Sequence, residues 1–389
     1  MSHEDEVDVI VVGLGAMGSA TILRLVERGL RVIGLDRFRP PHDHGSTHGE
    51  TRITRLAIGE GSEYVPLVRR SHELWRELEH RAHTALLHQI GGLVIGNRDN
   101  AFLERTRAVA AEHDIGHQNL SSAELRRRFP MFSVSAECEA YFEPEAGFVR
   151  PEAAVGAQLA LAQQLGADLR LGEPVTAWTS SAAGVEVATA NGRFQARQLV
   201  LSAGPWITKL LPEVSLEFAV YPQLLHWFPI RSGYEVLRRM PVFVWETGAE
   251  RNDFAHAMAF YGFPAIDGPT GGVKLATESY EATVDPDEPA TVSASDAAGR
   301  IHEEYLASRF PWVAPVPLRS VRCLYTTTRG SRFVIDRHPR YQSVVIVSAC
   351  SGHGFKHSPA IGEAVAQLVA DGASQIDLSP FAMPRADGG

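Results

Sequence analysis

The chain has 389 residues, enough for two or three domains or two interleaved ones, and its 44% hydrophobic content is ordinary for a globular protein. Acidic side chains outnumber basic ones by 46 to 37, a formal charge of −9 that speaks against nucleic acid and anionic membranes as main partners. No apolar stretch approaches the roughly 20 residues a bilayer span needs. The first residues (Ser2-His3-Glu4-Asp5-Glu6) are acidic where a secretory signal is basic, and the last (Arg385-Ala386-Asp387-Gly388-Gly389) form no peroxisomal signal. Three scattered cysteines, Cys138, Cys323 and Cys350, make neither a disulfide framework nor a zinc cluster, so a cytoplasmic protein is expected.

Residues 7–12 form a nearly unbroken apolar run and predict a buried parallel strand. Gly13-Leu14-Gly15-Ala16-Met17-Gly18 follows at once, then a helical pattern to about residue 28, stopped by Gly29. A second strand run over 31–35 ends in Asp36. This βαβ unit of about 30 residues is the setting in which a GxGxxG fingerprint carries meaning. Gly13 permits the tight bend, Gly15 lets the backbone approach a pyrophosphate, and Gly18 lets helix and strand pack closely. The phosphates then sit on the helix N-terminus, in the turn that holds Ala16 and Met17, while Asp36 accepts hydrogen bonds from a ribose. The fingerprint alone does not separate NAD from FAD.

A polar loop rich in Gly, His and Arg spans 42–61, and a helix is predicted over 65–81 with Leu67, Leu74 and Leu78 on one face. Strand and loop signals mix over 87–150, an Ala-rich helix is predicted over 153–165, and a buried strand at 199–201 ends in a turn at Gly204. The stretch 221–328 holds strand-like pieces and a Pro/Asp-rich segment at 285–290. A last buried strand at 344–348 leads through a glycine loop into a helix with Ile361, Val365 and Leu368 on one side. Nucleotide-fold signals at both ends and near 200 predict an α/β protein with a discontinuous Rossmann-like cofactor domain (1–87, 152–220, 330–389). The rest (88–151, 221–329) forms an α+β substrate domain on a mainly antiparallel sheet.

Of the 37 basic residues only Lys209, Lys274 and Lys356 are lysine. Where arginine is the default cation, each lysine position asks for a chemical reason, since a compact ammonium and a planar guanidinium do different work. Lys209, near a helix start, reads as a surface residue.

Several segments resemble the monomeric sarcosine oxidase and N-methyltryptophan oxidase family, within the wider D-amino-acid-oxidase-like flavoproteins. The most specific are 40–42 with 45–55 (Gly-Ser-Thr-His-Gly-Glu-Thr-Arg-Ile-Thr-Arg), Gly59-Glu60-Gly61, and Tyr64-Val65-Pro66-Leu67. Equally specific are Cys323-Leu324-Tyr325, Phe333-Val334-Ile335-Asp336 and Ser351-Gly352-His353-Gly354-Phe355-Lys356. The resemblance implies FAD, with Arg37, Gly45, Ser46, Arg52, Val175, Ala203, Gly204, Trp206, Gly352, His353, Gly354 and Lys356 joining the cofactor site. It implies a thioether from Cys323 to the flavin, which needs a thiolate; Arg322 beside it, with Arg329 and Arg332, is expected to favour one. It makes Lys274 the residue that promotes reaction with oxygen, and Lys356 with Arg55 the clamp on a substrate carboxylate. Arg52 is implied near the flavin, and His48, Tyr261 and Tyr325 on the substrate cavity.

The implied reaction is oxidation of a secondary amino acid by hydride transfer to FAD, hydrolysis of the imine, and reoxidation by oxygen to hydrogen peroxide, in a monomer. Two departures question sarcosine itself: Glu278 stands where the family carries a histidine, and the segment 246–259 is longer. His42, His44 and His48 lack a fourth ligand, so no metal is expected. Rival readings are a flavin dehydrogenase of the same fold, an NAD-dependent dehydrogenase and a non-catalytic flavin-binding protein.

Overall fold

The computed structural model describes residues 6–211, 214, 216–248, 259–288 and 293–383. The lengthened segment expected at 246–259 therefore lies largely outside the described residues, as do both chain ends. The first apolar run becomes the strand Val9–Val12, and its side chains go to both faces. Val9 and Val11 enter a core shared with the helices Ala16–Glu27, Val65–Ala82, Pro151–Gln164 and Ser358–Asp371. Ile10 and Val12 enter another, against the antiparallel layer Val175–Ser181, Gly184–Thr189 and Gly192–Ala196. A strand covered on both faces needs no polar alternation, which is why the run is unbroken.

Six strands form this sheet, in the order Val334–Arg337, Val344–Ser348, Gln198–Leu201, Val9–Val12, Val32–Asp36, Asp168–Leu171. All neighbours are parallel except the first pair. Three distant stretches of chain thus lie side by side, and the carboxyl ends of the central strands, at Gly13 and Ser202, open toward one crevice.

A second, eight-stranded sheet runs Arg319–Thr327, Ala219–Phe228, Val273–Thr277, Ala259–Gly262, Val242–Glu246, Gly92–Asn97, Cys138–Glu143, Gln118–Ser121. Only Val242–Glu246 and Gly92–Asn97 pair in parallel. Period-two alternation sorts its residues. Phe228, Phe243, Trp245, Phe260, Val273 and Leu275 pack in one core with the helix Ala294–Ile301, while Leu225, Trp227, Ala276, Cys323 and Tyr325 cluster on the other face with Tyr261 and Tyr280.

A small sheet of Arg52–Thr54, Gly147–Val149 and Leu87–Gln89 straddles the division expected at 87–88. The helix Ala101–Glu112 also leans on the core of the helix Val65–Ala82, through Phe102, Leu103 and Val109. That helix buries two adjacent stripes, including Val65, Val68, Trp75 and Leu67, Leu74, Leu78, and so needs cover on more than one side. Among the described residues no helix is long and apolar enough to cross a membrane.

Candidate active site

One cavity of about 300 Å³ runs from the glycine turn to the inner face of the eight-stranded sheet. At its first end the wall is backbone. Gly13 sits at φ 86°, and a Cβ there would lie 2.5 Å from Ser202 O; at Gly18 one would lie 1.8 Å from Gly13 O. Both positions are closed to side chains, and that closeness lets the helix press on the strand. A Cβ on Gly15 would meet nothing nearer than Thr47 Oγ1 at 3.6 Å; Gly15 faces the cavity with Ala16 and Met17 beside it at the helix N-terminus, where Ala16 N–H reaches Thr47 Oγ1 at 3.4 Å. Asp36 accepts the N–H groups of Leu14 at 2.7 Å and Phe38 at 2.8 Å, and burial pushes its carboxyl above the usual range.

The rim carries a charged cluster that sequence reasoning missed. Arg37 pairs with Asp287 at 2.8 Å, and its guanidinium lies 4.9 Å from the Trp206 ring. Asp287 also accepts Trp206 Nε1 at 2.8 Å and the Lys209 ammonium, which reaches Asp285 at 2.8 Å. Lys209 is exposed, as a surface residue should be, yet it lines the cavity mouth. Nothing in sequence joins 37, 206, 209 and 287.

At the far end the wall is side chains. Lys274, 4% exposed, stands opposite Trp227 in the sheet register. Its Nζ donates to Gly49 O at 2.7 Å, Thr51 O at 2.8 Å and Thr51 Oγ1 at 3.0 Å, and lies 4.4 Å from the Phe263 ring centre. Burial, and after it the Arg52 guanidinium, push its pKa well below the usual lysine value. Three oxygens match the three N–H groups of an ammonium, so the donor geometry favours charge against that push. Arg52 donates to Thr51 O at 2.9 Å and Ser46 O at 2.8 Å. Lys356 donates to His353 O at 2.8 Å, and burial pushes its pKa down to about 8. Burial raises the Tyr261 and Tyr325 phenols, so both are neutral hydroxyls on the wall. Glu278 lines the same space.

Of the predicted residues, Gly13, Gly15, Ala16, Met17, Asp36, Arg37, Gly45, Ser46, Arg52, Arg55, Val175, Ala203, Gly204, Trp206, Tyr261, Lys274, Glu278, Tyr325, Gly352, His353, Gly354 and Lys356 share this cavity. Gly18 stands behind it, in the packing place expected. Three expectations need correcting. His48 is not on the wall; its Nε2 turns to Gly45 O at 3.1 Å, bracing the loop that carries Gly45 and Ser46, and burial lowers its pKa to about 4. Cys323 is 1% exposed and sits just behind the wall, and the cation beside its Sγ is Arg52, with Nη2 at 3.5 Å, rather than Arg322. Neighbours along a strand point to opposite faces, so Arg322 is turned away and donates instead to Glu288 O at 3.0 Å. Arg55 is no open cation: its Nη2 meets both Glu60 oxygens at 2.9 and 2.7 Å, and its Nη1 meets Ala57 O at 2.7 Å.

Supporting residues escaped the sequence reading as well. Glu143, 1% exposed, accepts the N–H groups of Leu56 at 2.6 Å and Ala57 at 3.1 Å and so fixes the turn after Arg55. Glu152 accepts Gly49 N–H at 2.5 Å and Glu50 N–H at 3.0 Å, behind the carbonyls that hold Lys274. Only Glu60, five residues from Arg55, carried a local signal.

The model of the family described as "FAD dependent oxidoreductase" matches residues 8–368. The chain belongs to that family. This flavoprotein is 38% identical over 377 residues to a monomeric sarcosine oxidase from Streptomyces avermitilis, covering 96% of each chain. It is 33% identical to an N-methyl-L-tryptophan oxidase from Yersinia pestis, over 97% of this chain and 99% of that one. Among solved structures, NikD, an amino acid oxidase of nikkomycin biosynthesis, superposes with a TM-score of 0.84 at 28% identity, covering 96% of each chain. A glycine oxidase from Geobacillus kaustophilus superposes at 0.76 with 21% identity, over 98% and 99%, and shares the fold. The chain is therefore an FAD-dependent enzyme of amine oxidation. Its cavity fits FAD: a backbone cradle with Asp36 at one end for the adenosine and pyrophosphate, and room before Arg52, Lys274 and the Gly352–Gly354 turn at the other.

Proposed function

We propose that this flavoenzyme oxidises a secondary amino acid, N-methyl or cyclic, at the carbon beside nitrogen and passes the electrons to oxygen. The observation that carries the reading is the convergence of Arg52, Arg55, Lys274 and Lys356 on one cavity whose other end has the dinucleotide turn. The relatives named for sarcosine and N-methyl-L-tryptophan support the substrate class.

The substrate carboxylate goes to Lys356, with Arg55 sharing its guanidinium between that carboxylate and Glu60. Tyr261 and Tyr325, with Phe263, shape the wall around the carbon skeleton. The amine must arrive neutral, since its lone pair becomes the C=N bond as the hydride departs; water then hydrolyses the imine. FAD held here would supply the hydride acceptor and the route for electrons to oxygen, with hydrogen peroxide as the product. Lys274 offers the ammonium that draws oxygen as it gains negative charge. The turn Gly352–Gly354 would face the flavin ring with backbone N–H groups.

Cys323 is the residue we assign to a thioether with the flavin. Its Sγ lies 3.5 Å from Ser46 O, and Ser46 lines the cavity. Burial raises the thiol pKa, and the Arg52 guanidinium opposes that rise. Yellow colour that stays with the denatured polypeptide, and leaves it in Cys323→Ser, would establish the bond. Relatives named monomeric support a monomer, and three unpaired cysteines support a reducing cytoplasm.

The test mixes purified protein anaerobically with sarcosine, N-methyltryptophan, other N-methyl amino acids, proline and pipecolate while the visible flavin absorbance is followed. Bleaching that reverses when air is admitted supports both halves of the reading. Bleaching that air does not reverse points to a dehydrogenase, and a yellow protein that nothing bleaches removes the clamp assigned to Arg55 and Lys356.

A further inference from the structure

Amine oxidation at this site fixes the substrate's carboxylate and its reacting carbon and leaves its side chain open, so any assignment of the side chain rests on that proposed function. Glu278 lies on the cavity wall one residue beyond the strand Val273–Thr277. Its Oε2 accepts the Tyr280 hydroxyl at 2.8 Å, its one hydrogen bond to the described residues. No Lys or Arg among them forms an ion pair with it; Tyr261 and Tyr325 share its stretch of wall, and the Lys356 ammonium feels its charge without touching it. A filled cavity excludes water. A carboxylate oxygen left there without a donor is costly, and a ligand that brings the donor is favoured over one that does not.

The reacting amine is the wrong donor. A carboxylate against it would hold it as the ammonium, which has no lone pair to drive hydride loss. The group that meets Glu278 is therefore a second one on the substrate. We propose that the cavity selects a secondary amino acid with a cationic side chain, an ammonium or guanidinium, received by Glu278 while Tyr280 fixes the carboxylate's orientation. The α-carboxylate meets Lys356 and Arg55, the side-chain cation meets Glu278, and the neutral amine lies between them.

Holoenzyme is titrated with 5-guanidinopentanoate and with hexanoate, neither of which carries an oxidisable amine, and the perturbed flavin spectrum gives each Kd. The guanidino acid should bind roughly tenfold tighter or better, as charge-assisted hydrogen bonds to a half-buried carboxylate do once the ligand covers it. Glu278→Gln should erase that preference, and Tyr280→Phe should reduce it while keeping the carboxylate. Equal binding of the two acids by the wild type, or a preference that survives in Glu278→Gln, overturns the proposal. In parallel, Nα-methylarginine should reduce the flavin with at least about tenfold greater efficiency than N-methylnorleucine. If the two reduce it equally well, this inference fails and the amine-oxidase reading stands. If neither these nor any other secondary amino acid reduces it, the amine-oxidase reading fails and this inference with it.

Discussion

The two ends of the cavity are built on opposite principles. At the glycine turn the ligand site is backbone: Gly13, Gly15 and Gly18 lie within six residues of one another, and their work is to leave space. At the far end the site is charge: Arg52, Arg55, Lys274 and Lys356 come from segments up to 304 residues apart; Arg52, Arg55 and Lys356 are held by oxygens close to them in the chain, and Lys274 by the distant Gly49 and Thr51. A site made by omission tolerates almost no change, whereas a site made of charges can be dissected one group at a time.

The largest effect is expected where space is the function. In Gly18→Ala the new Cβ meets Gly13 O at 1.8 Å, a backbone atom that no side-chain rotation can move aside. The helix must back away from the strand, at a cost of about 3 kcal/mol or more. The purified variant should hold almost no flavin, read from the ratio of flavin to protein absorbance; full occupancy would break the contrast between the two ends.

Lys274→Met should divide the two half-reactions. Reoxidation of reduced flavin by air should slow roughly a hundredfold or more, as loss of one preorganised charge does, with anaerobic reduction by substrate changing far less. Stopped-flow absorbance measures both. Equal slowing would mean that Lys274 works by holding Gly49 and Thr51 in place.

Lys356 sharpens the comparison through pH. Its pKa of about 8 means that the ammonium is present below that value and lost above it. An amine-free carboxylate should therefore bind with constant affinity below pH 8 and lose about tenfold per unit above it. For stability the sign is opposite. Between about 8 and the ordinary lysine value the unfolded chain binds the proton and the folded one does not, so this group's contribution to stability rises with pH across that window. Lys356→Met should flatten the binding profile, measured by spectral titration.

The smallest functional effect is expected at Glu60. Glu60→Gln leaves the Arg55 cation, 7% exposed at its side chain, without its counter-charge. Simple carboxylates should bind a few-fold tighter while thermal stability falls by about 1–3 kcal/mol. Weaker binding would show that Glu60 orients Arg55 more than it competes for it.

Legibility in the chain divides along the same line. The βαβ unit was legible because a strand buried on both faces, a glycine turn and a helix stop are local patterns. Lys274 and Lys356 stood out for a different reason, since lysine is rare in this composition. What supports the charged end of the cavity was not legible. Glu143, Glu152 and Thr51 carry no local sign of their task, and Asp287 meets Arg37 across 250 residues. Arg322 adjoins Cys323 along the chain and not in space, because a strand sends neighbours to opposite faces.

The sequence by itself determined the nucleotide turn, the continuous strands of the six-stranded sheet and the kinds of charge available for catalysis, because these depend on a few consecutive residues and their backbone geometry. Only the tertiary structure decided which cation stands beside Cys323, that Arg55 is held by Glu60, that His48 turns from the cavity, and that Glu278 faces into it. Those outcomes depend on which faces of distant strands meet, and on how a charge removed from water finds its counter-charge or its hydrogen bonds.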